Sequence, residues 1–133
     1  MLKIILVLLG GAIGTGCRYG LSLFIYSRIK NPTFPYANLV INISGSFVIG
    51  ILAELFNGRL QVSPTIQAAL IIGVLGGYTT FSSFSYETFT LIRGGEWFRA
   101  TLNSAGSVLL GLIAVWLGVR LAQSLWFMPE QGL

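Results

Sequence analysis

The chain has 133 residues, of which 54% are hydrophobic and only 9% charged, and its mean hydropathy is +0.80. A soluble domain carries about 25% charged residues, so this composition excludes a water-soluble globular fold and indicates an integral membrane protein. The net charge of +4 is spread out with no basic run, which excludes a nucleic-acid partner, and the absence of histidine excludes His metal sites, His proton relays and His-dependent nucleophilic catalysis.

A span needs about 20 apolar residues, so the length allows four spans and almost no soluble domain. We read residues 1–133 as one four-span, all-α transmembrane domain, with spans at about 4–26, 36–56, 65–92 and 99–122. At the start, Lys3, an apolar stretch and small residues ending at Cys17 have the outline of a lipoprotein signal. Gly14 stands where such a signal wants Leu, and residues 18–26 continue the hydrophobic character, so the stretch reads as a span. Cys17, the one cysteine, cannot close an intrachain disulfide. Gly10 with Gly14, and Gly16 with Gly20, are small-xxx-small pairs that let helices approach closely. Arg18 extends the Gly10–Gly14 face. A charge within a span costs at least about 2.5–3.5 kcal/mol on insertion scales. Arg18 therefore either snorkels to the interface or pairs with backbone carbonyls or a carboxylate near the mouth of a pathway.

The first loop carries Arg28, Lys30 and two prolines. In the second span Asn38, Asn42, Ser46 and Gly50 recur every four residues on one helix face. That stripe is either glue between helices or a polar track lining an aqueous vestibule. Asn42 lies deep in the span and must find a partner. The second loop carries Arg59. The third span contains the longest uncharged run, residues 60–86. Its centre, GVLGGYTTFSSF at residues 73–84, sets Gly76-Gly77 beside the hydroxyls of Thr79, Thr80, Ser82 and Ser83. Paired glycines next to hydroxyls make a poor lipid-facing helix. Irregular backbone at membrane depth is tolerated only where protein or water covers it, so we expect a helix broken at its centre, a common form of ion or substrate site. Phe81 and Phe84 lie three apart just past it, a spacing that in itself more often means ordinary packing. Glu87 follows, either an interfacial carboxylate or a structural partner near the exit of a pathway. The fourth span carries another small and polar stripe, Asn103, Ser107, Gly111, Ala114 and Gly118.

Four spans put both termini on one side with Lys3, Arg59 and Arg120, against Arg28, Lys30, Arg93 and Arg99 on the other. Orientation is set by Lys/Arg asymmetry, and this balance suits insertion both ways. Opposite insertions pair as an antiparallel two-fold dimer, which supplies the helices that four spans lack to enclose a path.

Several motifs together resemble those of the Fluc (CrcB-type) fluoride channel family. They are Gly10-Gly11-Ala12-Ile13-Gly14 with Arg18-Tyr19, Asn42 with Gly45-Ser46-Phe47 and Gly50, and above all residues 73–85. The resemblance runs from about residue 3 to 118. It departs at Asn38, where the family more often has Thr, and at Asn103, a position that can be a polar aromatic; both bear on the vestibule. The resemblance implies a dual-topology antiparallel homodimer with two fluoride pores in a bacterial or archaeal inner membrane, exporting fluoride passively and so limiting its toxicity. It implies a structural sodium ion on the dimer axis, held by the main-chain carbonyls of Gly76 and Thr79. It further implies that Phe81 and Phe84 line the pores, that Asn42 donates to fluoride, and that Thr80, Ser82, Ser83 and Ser107 offer a polar track.

Two rivals need different features. A small dual-topology proton-coupled exporter requires a membrane-embedded carboxylate, yet Glu54 and Glu87 both sit toward span ends. A scaffold subunit would explain the glycine stripes but not hydroxyls gathered at a glycine break. An enzyme is not expected, since the spans hold no base–nucleophile pair.

Overall fold

The computed structural model describes residues 1–30, 32–58 and 60–126. Arg59, used in the charge balance above, lies outside them. The described residues form helices and no strands: α1 Leu2–Arg28, α2 Tyr36–Asn57, α3 Pro64–Ala68, a π-helical segment Ala69–Leu75, α4 Gly76–Tyr78, α5 Phe81–Arg93 and α6 Trp97–Trp126. Taking 64–93 as one interrupted span, four helical stretches are long and apolar enough to cross a membrane.

Local sequence sets the ends. Ser63 caps α3, its Oγ accepting from the Ile66 N–H, with Pro64 in the first turn, where its missing N–H costs nothing. The α5–α6 turn passes through Gly95 at φ 75°, a conformation that glycine adopts without steric cost.

Two pairings build the bundle. α2 packs along α6, and α1 packs along the π segment and α4. Both contacts bring backbone against backbone. A Cβ on Gly50 would strike the Val115 carbonyl, and one on Gly118 the Phe47 carbonyl. On the other side, a Cβ on Gly73 would lie 2.7 Å from the Val7 oxygen, and one on Gly77 2.6 Å from the Gly11 oxygen. Lipid is as apolar as a side chain, so helices gain from close van der Waals approach and small residues provide it. Gly76-Gly77 are thus helical, and Gly77 serves packing. The chain leaves the helix just after them, at Thr79-Thr80.

The π segment follows from the same contact. Gly10 and Gly14, one α-turn apart, meet the carbonyls of Ala69 and Val74, which are five residues apart. A wider turn, with an i→i−5 bond such as Gly76 N–H to the Ile71 oxygen, lets a five-residue step match a four-residue one. Gly16 and Gly20 have nothing within 4 Å of a built Cβ, so among the described residues only the first of the two glycine faces of α1 is in contact.

Candidate functional site

The interruption is built from diverted hydrogen bonds. An unbroken α-helix would send the Thr80 N–H to the Gly76 carbonyl and the Ser83 N–H to the Thr79 carbonyl. Here Thr79 (φ −81°, ψ 159°) and Thr80 (φ −151°, ψ 118°) are extended. The Thr80 N–H donates to Asn42 Oδ1 at 2.9 Å, and Asn42 Nδ2 donates back to the Thr80 carbonyl at 3.2 Å. The Ser83 N–H donates to Thr80 Oγ1 at 3.2 Å, which caps α5. Asn42 thus repairs the break as a neighbouring strand would, meeting the requirement that a deep amide find partners.

Among the carbonyls released by this diversion are those of Gly76 and Thr79. Thr79 receives Arg18 Nη1 at 3.3 Å. The next carbonyl, of Gly77, receives the Thr15 hydroxyl at 3.5 Å. Of the two readings of Arg18, the structure takes the pairing with backbone. Further fastening comes from Tyr78, whose hydroxyl meets Ser44 Oγ at 2.8 Å. Gly45 leaves the space that the Thr79 methyl fills. Nothing in the spacing of Thr15, Ser44 or Tyr78 marks them as attachments of the break; Tyr78 carries only the weak signal of a phenol in an apolar span.

Two open grooves lie near the break, the first lined by Thr79 and Thr80 and the second in part by residues that follow them. The first, of about 430 Å³, is lined by Asn42, Ser46, Gly76, Thr79, Thr80, Phe81, Phe84 and Ser107, with Gly45, Ile49, Ile71, Leu75 and Val108. The Phe81 and Phe84 rings have centroids 5.6 Å apart and are tilted by 42°. Phe84 is half-buried, whereas Phe81 is 80% exposed. Ser107 Oγ is buried with no hydrogen-bond partner among the described residues. The second groove, of about 570 Å³, holds Thr15, Arg18, Tyr19, Ser22, Asn38, Ser82, Ser83, Tyr86 and Glu87. The sequence-predicted residues are therefore brought together in two sets. Asn42, Gly76, Thr79, Thr80, Phe81, Phe84 and Ser107 share one groove; Arg18, Ser82, Ser83 and Glu87 share the other. Thr80 joins them, since its Oγ1 lies 3.3 Å from Ser82 Oγ and 3.1 Å from Ser83 Oγ.

The stripe on α2 divides in the same way. Asn38 faces the second groove, Asn42 and Ser46 the first, and Gly50 packs on α6. A four-residue step over-rotates a helix by about 40°, so four such positions wind around it rather than share one wall. Asn103, read above as bearing on the vestibule, lines neither groove. It is 1% exposed, and its Nδ2 donates to Thr88 Oγ1 at 2.8 Å, pinning α6 to α5.

No group of three or more Cys, Asp or Glu side chains lies together among the described residues, so a metal ion here would depend on neutral oxygens. Fold and site define a multi-pass membrane protein with an interrupted helix bordered by one amide-, hydroxyl- and phenyl-lined groove and one charged groove. The model of the CrcB-like protein family (Camphor Resistance, CrcB) matches residues 5–119, and the chain belongs to that family. A relative from Solibacter usitatus (strain Ellin6076) is 45% identical over 122 residues, covering 92% of this chain and 99% of its own. One from Paramagnetospirillum magneticum (strain ATCC 700264 / AMB-1) is 48% identical over 120 residues, covering 89% and 93%. One from Roseiflexus sp. (strain RS-1) is 42% identical over 124 residues, covering 93% and 99%. Each is named a fluoride-specific ion channel, FluC; these are channels, not enzymes.

Proposed function

We propose that this chain forms a fluoride-selective passive channel as an antiparallel homodimer, exports fluoride across a cell membrane, and holds a structural sodium ion at the break. The observation that carries the reading is the first groove. It sets an unpartnered hydroxyl, Ser107 Oγ, and a deep amide, Asn42, beside two phenyl rings at the interrupted helix. Fluoride is small and strongly hydrated, so leaving water is costly unless donors replace its shell. Ser107 offers its O–H. Asn42 commits one amide N–H to Thr80 and retains a second. Phenyl edges carry positive potential, and large rings narrow the path against bigger anions. Alone, a groove with Phe81 largely bare is half a pore. A second copy inserted the opposite way would cover it, and the near-even Lys/Arg count permits that insertion.

The freed carbonyls of Gly76 and Thr79 fit sodium by chemistry, because neutral carbonyl oxygens suit a hard monovalent cation. When bound, the ion supplies a positive field that favours anions nearby. Asn42 and the Thr80 hydroxyl hold the break open in the chain itself.

The test is fluoride efflux from liposomes containing only the purified protein, with a potassium ionophore carrying counter-charge. The expected result is rapid fluoride loss and no chloride loss; silence for both ions in dimeric protein overturns the reading. A second reading, proton-coupled export, draws on the buried, unpartnered Oε2 of Glu87 in the second groove. Flux that stops without a proton gradient would favour it.

A further inference from the structure

Among the described residues, Arg18 is the one cation with a hydrogen bond to the break. α1 wedges Gly14 against the Val74 carbonyl and the Tyr78 N–H. One turn further along the same face comes Arg18, and one residue further along the third span comes Thr79. That register aims the guanidinium at the Thr79 carbonyl, which it reaches at 3.3 Å. Glu87 borders the same groove, but no ion pair joins it to Arg18; the one salt bridge among the described residues is Arg99 to Glu96. The positive charge is thus spent on a backbone oxygen. That oxygen is among those that the break frees.

We propose that Arg18 is a positioning residue that sets how tightly the break holds its cation, by placing a fixed positive charge on one lone pair of the Thr79 carbonyl. This rests on the sodium reading above. A carbonyl has two lone pairs, so guanidinium and metal ion share the oxygen without exclusion. Their charges repel across it. At an effective dielectric of about 20, unit charges this close shift a binding constant by roughly a hundredfold. Arg18 is half-buried and open to the groove, so solvent and counter-ions reduce this to about tenfold. Arg18 keeps the site weak, and its removal tightens sodium binding. A purely structural role predicts the opposite sign, since losing the contact would loosen the carbonyl and weaken the site.

The experiment uses the full-length protein purified in detergent. Its thermal midpoint is followed as sodium chloride replaces N-methyl-D-glucamine chloride at constant ionic strength, because a ligand of the folded state raises that midpoint with concentration. Three proteins are compared: wild type, Arg18→Gln, which removes the charge, and Arg18→Lys, which keeps it. The expected result is a half-maximal sodium concentration about tenfold lower in R18Q and within about threefold of wild type in R18K. Arg18→Met replaces R18Q, with the same expectation, if the glutamine variant does not fold. An unchanged or higher half-maximal concentration in the neutral variant overturns the proposal alone. Absence of any sodium-dependent shift in the wild type overturns the sodium reading and the proposal together.

Discussion

Asn42→Asp separates the two tasks assigned to this side chain. The aspartate retains one oxygen to accept the Thr80 N–H at 2.9 Å. It replaces the amide nitrogen with an oxygen 3.2 Å from the Thr80 carbonyl, where two acceptors now face each other. Losing that bond and setting two oxygens against each other beside Thr80, which is 8% exposed, costs about 2–4 kcal/mol. The added negative charge borders the first groove, where an anion within about 5 Å meets a barrier of roughly 3 kcal/mol at an effective dielectric of 20. Fluoride flux should therefore fall by at least about tenfold, even for protein that remains folded and dimeric. Asn42→Ala loses both bonds without adding charge, so it should destabilise at least as much while obstructing less. The assays are liposome efflux and thermal midpoint, run on the same preparations. Wild-type flux from N42D would refute the placement of Asn42 on the path. Wild-type stability in both variants would refute its role as the partner of the broken backbone.

Phe81→Ile should slow fluoride efflux sharply while lowering stability by less than about 1 kcal/mol, since the ring is largely exposed and its recorded neighbour is Phe84; a large drop in thermal midpoint would mean the ring is a packing element. Gly14→Ala drives a methyl into the Val74 carbonyl and should cost at least about 2–3 kcal/mol, or prevent recovery of folded protein. Gly111→Ala, whose methyl meets only Ser46 Oγ at 3.5 Å, should purify normally; equal behaviour of the two would remove the close α1 contact. Ser44→Ala and Tyr78→Phe delete the two ends of one hydrogen bond, so each should cost about 1 kcal/mol and the double variant little more than either. Additive losses in a thermal-stability cycle would show that the two residues act separately.

Much of the architecture was legible because membranes impose simple rules. Apolar length specifies helices, and every backbone group must be paired, so glycines and hydroxyls gathered in mid-span announce an irregularity. The amino acids gathered at the first groove, from Asn42 to Ser107, stand out for the same reason: polar groups are costly there and must meet something. The position and form of the irregularity were less legible. Gly76-Gly77 look like the break, yet both are helical and Gly77 lies against Gly11, while the extended residues are Thr79 and Thr80. A glycine fits a close helix crossing as well as it fits a bend, and sequence does not say which neighbour will arrive.

What the sequence by itself determined is four apolar helices and the inventory of amides, hydroxyls, rings and one deep arginine. What only the tertiary structure decided is how that inventory is divided. The winding of α2 sends Asn38 to one groove and Asn42 to the other. The meeting of α1 with a π-helical turn aims Arg18 at the Thr79 carbonyl. Helical spacing records which residues share a face, but the register between two helices is fixed by where their backbones can approach, and that depends on both surfaces at once.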